Sequence, residues 1–278
     1  MNATGHTGGK ILNAFVDGVG LLGPGFSSWA EGRAQLDGSA RYNPARCILP
    51  QPMALPPAER RRAGVVVKVS LAVAAEAVTA SGLQAATLPS VFTSSSGDAV
   101  NCHEICSALA SSDRLISPTR FHNSVHNASS GYWSISSGAM ASSSVLCAHD
   151  ASFSAGLLEA MTQVAVEQVP VLLVAYDTNY PEPMFSKRPI PDTFGVAVVL
   201  SPKQGPRSQA LWSLDSLTCF TALAADRMDN AALEGLRSTI PAARCLPLIQ
   251  RIGSRQTGPI VLDYLQKLQL AVQVSPCD

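Results

Sequence analysis

The sequence predicts an α/β fold, a mostly parallel sheet between helices. Helix and strand signals alternate along most of the chain. Residues 169–175 and 195–200 are wholly apolar, as strands buried on both faces are. The composition, 46% hydrophobic and only 14% charged, suits a compact α/β protein. Strands that alternate with helices imply right-handed crossovers.

The elements follow in order. Residues 11–16 read as a first strand, followed by Gly-Pro turns through Gly25, and residues 28–37 as a short helix. Pro56-Pro57 opens a long helix, with Glu59 near its positive end and Gly82 as its stop. Val65, Val66, Val69, Val73 and Ala77 recur on it at helical spacing, so one face is buried. Residues 90–94 form a strand that runs into Ser95-Ser96-Gly97-Asp98, and a helix covers about 99–110. A helix over about 121–138, a strand at 143–148 and a helix at 152–168 lead to the two apolar strands. Residues 202–209 read as a linker, and the remainder carries a helix near 229–237 and a last strand at 268–274.

A chain of 278 residues can bury a large core. Its 20 basic and 20 acidic residues balance, which argues against nucleic acid or an anionic membrane surface as partner. Arg60-Arg61-Arg62 after Glu59 reads as a solvated helix start. The longest apolar run, 63–80, is broken by Lys68 and Glu76, so no membrane span is expected. Residues 1–10 are polar and show no signal peptide. The expectation is a soluble cytoplasmic protein whose cysteines (Cys47, Cys102, Cys106, Cys147, Cys219, Cys245, Cys277) are free thiols.

Two patterns invite a metal reading: His122 with His126, and Cys102 with Cys106 beside His103, each pair at helical spacing. Neither has the further ligands of a zinc site, so no metal is expected. Ser94-Ser95-Ser96-Gly97-Asp98 lacks the Gly-Lys-Ser/Thr of a phosphate cradle. Ser142-Ser143-Ser144 lacks the glycines of a nucleophile elbow.

One stretch carries more information. Ser117-Pro118, Asn123, Asn127, Gly131, Ile135 and Gly138 fall at the intervals that lead to the nucleophile of a β-ketoacyl synthase. Val91 to Asp98 is similar to that family's strand and glycine turn. Phe185-Ser186-Lys187 with Phe194 to Leu200 looks like the segment closing its first half, although Asp192-Thr193-Phe194-Gly195 departs from the usual Gly-rich turn. The resemblance covers about residues 10–201, and 210–278 read as a shortened C-terminal appendage packing on it. It is closest to the short chain-length-factor-like proteins of bacterial aryl polyene and type II polyketide pathways.

The resemblance implies a thiolase-like fold truncated in its second half. Counted in register, the place of the catalytic cysteine falls on Asp150. Condensation needs a thiolate to carry the acyl chain, and a carboxylate there suits a cap on the next helix instead. No histidine follows His149, although active members draw histidines, or a histidine and an asparagine, from their second half. No catalytic residue is therefore expected. Cys147 is the rival nucleophile, expected as a buried thiol on a strand, with His149 two residues on and so on the same face.

The implied function is a non-condensing partner of a catalytic β-ketoacyl synthase in fatty acid, polyketide or aryl polyene biosynthesis. Acyl chains would arrive on the phosphopantetheine of an acyl carrier protein, with no cofactor in the chain itself. Ser143, Ser144 and Val145 would lie at the dimer contact, with Asn123 and Asn127 nearby, and Arg120 and Phe121 would reach the partner's acyl tunnel. Two alternatives stand beside it: a synthase or acyltransferase acting alone through Cys147, and a scaffold that docks carrier protein.

Overall fold

The computed structural model describes residues 10–216 and 218–278. The reading of residues 1–9, His6 included, lies outside the described residues. In chain order the elements are β1 (Ile11–Leu22), α1 (Trp29–Leu36), α2 (Pro57–Arg62), α3 (Val65–Ser81), β2 (Ser90–Thr93), α4 (Ala99–Ala110), α5 (Pro118–His122) and α6 (Ala128–Ser137). There follow β3 (Ser143–Leu146), α7 (Ser152–Glu167), β4 (Val171–Asp177), α8 (Met184–Lys187) and β5 (Phe194–Ser201). The chain ends with β6 (Ala210–Asp215), β7 (Phe220–Thr221), α9 (Ala231–Thr239), α10 (Leu246–Ser254), β8 (Gly258–Leu265) and β9 (Leu268–Pro276).

The strands form one sheet in the order β3-β2-β4-β5-β1-β6-β9-β7, with β8 also paired to β9. Its directions correct the expected mostly parallel sheet. β2 runs parallel to β3 and β4. The pairs β4–β5, β1–β5, β1–β6 and β6–β9 are antiparallel. The segment between β4 and β5 contains only the four-residue α8, so the chain folds back instead of crossing over. Apolar runs report burial on both faces and are silent about direction. That burial is complete: Val171, Leu173 and Ala175 of β4 face one core, while Leu172, Val174 and Tyr176 face the other.

Several boundaries move for identifiable reasons. β1 does not stop before the glycines but runs to Leu22. Gly18 and Gly20 are strand residues over which α3 lies flat: a Cβ on them would stand 2.0 Å from the Ala77 carbonyl and 2.1 Å from that of Val73. The long helix expected from Pro56 is two helices, parted at Ala63-Gly64, where Gly64 is extended. Arg60, Arg61 and Arg62 thus end α2 rather than start a long helix. The helix expected over 121–138 is also split. Asn123 ends α5, donating through Nδ2 to the Arg62 carbonyl at 2.8 Å and accepting from the Tyr132 hydroxyl at 3.2 Å.

Residues 210–278 extend the same sheet, since β6 pairs with β1 along Ile11–Val16. One hydrophobic core joins Val16, Phe153 and Val198 to Trp212, Leu248 and Val272. No helix among the described residues is long and apolar enough to cross a membrane.

Candidate functional site

β3 is an edge of the sheet, with β2 on one side only. Ser142 and Leu146 accept from the backbone of β2 and the residue after it, at 3.0 and 3.3 Å. By alternation, the backbone groups of Ser143 and Val145 point to the open side. Ser143 shares a hydroxyl contact with Ser90 at 3.0 Å, and Ser144 Oγ accepts from Gln163 at 3.4 Å.

Beyond β3 the chain turns sharply into α7. His149 takes a left-handed φ of 52°, an uncommon backbone state for a residue with a Cβ, and a single 3-10 turn over His149–Ala151 precedes the helix. Ser152 Oγ accepts from the Ala148 amide at 3.1 Å and fastens the turn.

Asp150 occupies this elbow, but it does not cap α7 as expected: no side chain caps that helix. Its carboxylate is held instead by Arg188 on one oxygen and by Arg244 on the other, at 3.0 Å, with His149 Nδ1 3.6 Å away. Arg244 also approaches Asp263 at 3.7 Å, which binds Arg237 at 2.6 Å, and Arg237 binds Glu234 at 2.7 Å. The ionic chain ties the elbow to α8, α9 and β8. Its Arg237 hydrogen bonds hold the Glu234 carboxyl below the usual carboxylate range. Beside it lies a cavity of 510 Å³ lined by His149, Asp150, Arg244, Asp263 and Tyr264.

Cys147 corrects a second expectation. It is exposed, just past the end of an edge strand, with Sγ 3.1 Å from the Ser95 carbonyl. The strand ends at Leu146, so the alternation that would align Cys147 with His149 is lost, and no hydrogen bond joins the two side chains among the described residues. Below the elbow Asp177 is fully buried. It accepts from the Ser95 amide and hydroxyl at 2.9 and 2.6 Å and from the Ala242 amide at 2.8 Å. Burial pushes its carboxyl up to about 6 against these hydrogen bonds.

Arg120 and Phe121 lie on α5, apart from the elbow. Arg120 pairs with Glu104 of α4 at 3.4 Å, and its carbonyl accepts from Asn101 at 2.8 Å. Phe121 is 68% exposed. Asn127 begins α6 without a side-chain cap. His122 and His126 are not on one helix face: α5 ends at His122, which meets Tyr132 edge-on at 6.2 Å. Burial lowers the His126 pKa. Cys102 and Cys106 are both exposed on α4. Among the described residues no group of three or more His, Cys, Asp or Glu could hold a metal ion.

Sequence reasoning missed Arg188, Arg244, Asp263 and Asp177. The signal available for Arg244 was a lone charge within the apolar stretch 240–249. Asp150→Ala should cost about 1–3 kcal/mol, because it leaves Arg188 and Arg244 without their shared carboxylate in a half-buried setting. Thermal melts check this, and an unchanged melting temperature would show the ion pairs to be idle.

With this geometry in view, solved structures show the fold. The chain is similar, at 21% identity and TM-score 0.69, to a chain of the ketosynthase (ApeO) in complex with its chain length factor (ApeC) from Xenorhabdus doucetiae, covering 95% of this chain and 99% of that one. It is similar to a chain of the ishigamide ketosynthase/chain length factor at 9% identity and TM-score 0.71, covering 96% and 100%. Against the ketosynthase from module 1 of the bacillaene synthase of Bacillus amyloliquefaciens FZB42, at 15% identity and TM-score 0.54, 82% of this chain covers only 50% of that one. The fold is thus the thiolase-like fold of ketosynthases, short relative to a full ketosynthase chain. No curated protein matches it in sequence. Residues 29–250 match the family model described as "Beta-ketoacyl synthase, N-terminal domain", and the chain belongs to that family.

Proposed function

We propose that the chain is a non-condensing, chain-length-factor-like partner of a catalytic β-ketoacyl synthase in aryl polyene or related polyketide biosynthesis, where it shapes the acyl tunnel of a heterodimer. The observation that carries the reading is Asp150: where a condensing enzyme needs a thiolate, this elbow holds a carboxylate bound by two arginines. Ionic pairing with both arginines gives that carboxylate a structural use. The likeness to chains from ketosynthase/chain length factor complexes supports the pairing. So does the open edge of β3, a strand whose outward backbone groups have no partner strand among the described residues.

In this reading acyl chains arrive on the phosphopantetheine of a carrier protein and are extended at the partner's cysteine. Arg120 and Phe121 face the end of the growing chain, and Phe121 limits its length by volume, since packed walls accept little extra. Co-expression with a candidate ketosynthase tests the reading. A stable heterodimer is expected, with products longer by at least one extension cycle for Phe121→Ala and a changed distribution for Arg120→Ala. Unchanged products in both variants would remove the tunnel assignment. Mass spectrometry after exposure to acyl-loaded carrier protein is expected to find no acyl adduct on Cys147; a stable adduct there would favour an enzyme acting alone.

A further inference from the structure

The outer face of α3 carries a groove that shares no lining residue with the cavity at Asp150. It has a volume of 330 Å³, within the range of small-molecule sites. Lys68 and Thr79 bound it along α3, about 16 Å apart by helix rise. Between them Ala72 and Ala75 are small enough to leave depth. The opposite wall is α6, where Trp133 presents its ring, and the loop carrying Met53 closes the third side. Met53 is 68% exposed, an apolar side chain left at the rim.

Two polar groups here lack partners. Lys68 is half-buried, and its ammonium has no ion pair or hydrogen bond among the described residues. The indole N–H of Trp133 is buried and has no acceptor among the described residues. An unpaired ammonium at one end of an elongated apolar trough selects an anionic head followed by an apolar tail. A volume of 330 Å³ also disfavours a two-chained ligand.

We infer that this groove binds a single-chain amphiphile, its carboxylate on Lys68 and its alkyl chain lying over Ala72 and Ala75 against Trp133. The site is separate from the heterodimer reading and stands or falls without it. The test uses the full chain with dodecanoate, dodecanol and a photoreactive diazirine analogue of dodecanoate. Saturable dodecanoate binding is expected, with label in peptides from 50–54, 68–79 or 133–137. Lys68→Gln should weaken dodecanoate by about fivefold, the effect of one partly exposed ion pair, and leave dodecanol unchanged. Ala75→Phe should block both. Non-saturable partitioning, label confined to other peptides, or wild-type binding in both variants would overturn the assignment. Should Ala75→Phe misfold, the label map and Lys68→Gln decide alone.

Discussion

Asp177→Ala is expected to lower the melting temperature by roughly 10 °C, a loss of about 3–5 kcal/mol. The carboxylate is buried, and it accepts from two backbone amides and one hydroxyl on elements far apart in sequence: Ser95 after β2, and Ala242 in the 3-10 segment before α10. Truncation leaves the Ser95 and Ala242 amides facing an apolar void, and an unsatisfied buried donor costs about 1–3 kcal/mol. The pH dependence gives a second readout. The folded-state pKa, about 6, lies above the value of about 3.9 usual for aspartate, so the native state holds this proton more tightly than the unfolded chain. Its contribution is full below about pH 4, declines as pH rises towards about 6, and is flat above that. Glu234, held low by Arg237, acts in the opposite direction, so its stability is lost as pH falls. The difference between wild-type and Asp177→Asn melting curves isolates Asp177. A difference independent of pH between 4 and 7 would show that the carboxyl does not titrate there.

The second large effect is expected at the open edge of β3. Ser143→Pro removes an outward backbone donor without touching the bonds to β2, since proline is tolerated on edge strands. Met140, just before β3, is 94% exposed, an apolar side chain beside the open edge. In the proposed heterodimer, the double variant Ser143→Pro, Met140→Asp should weaken ketosynthase binding by roughly 100-fold, because it would place an unpaired carboxylate in the contact. Its own melting temperature should stay close to that of the wild type. Retained co-purification at wild-type strength would place the contact elsewhere.

Much of the frame was legible locally. The helices at 99–110 and 152–168 and the apolar strands were readable because periodicity and burial are written within a few residues of one another. The elements of 240–265 were not legible: α10 is only nine residues long, and β8 is apolar on too few residues to stand apart from loop.

Strand direction was beyond local reading too, because a strand buried on both faces has the same composition whichever way its neighbours run. From the chain alone came the family frame, the carboxylate at residue 150 and the lack of any histidine after residue 149. Long-range packing supplied what that carboxylate does. Arg188 and Arg244 lie 38 and 94 residues away in sequence, and only the folding of α8 and the 3-10 segment around the elbow brings their charges to it. Ion pairs across such separations leave no periodic trace, since charge acts through distance in space and not along the chain.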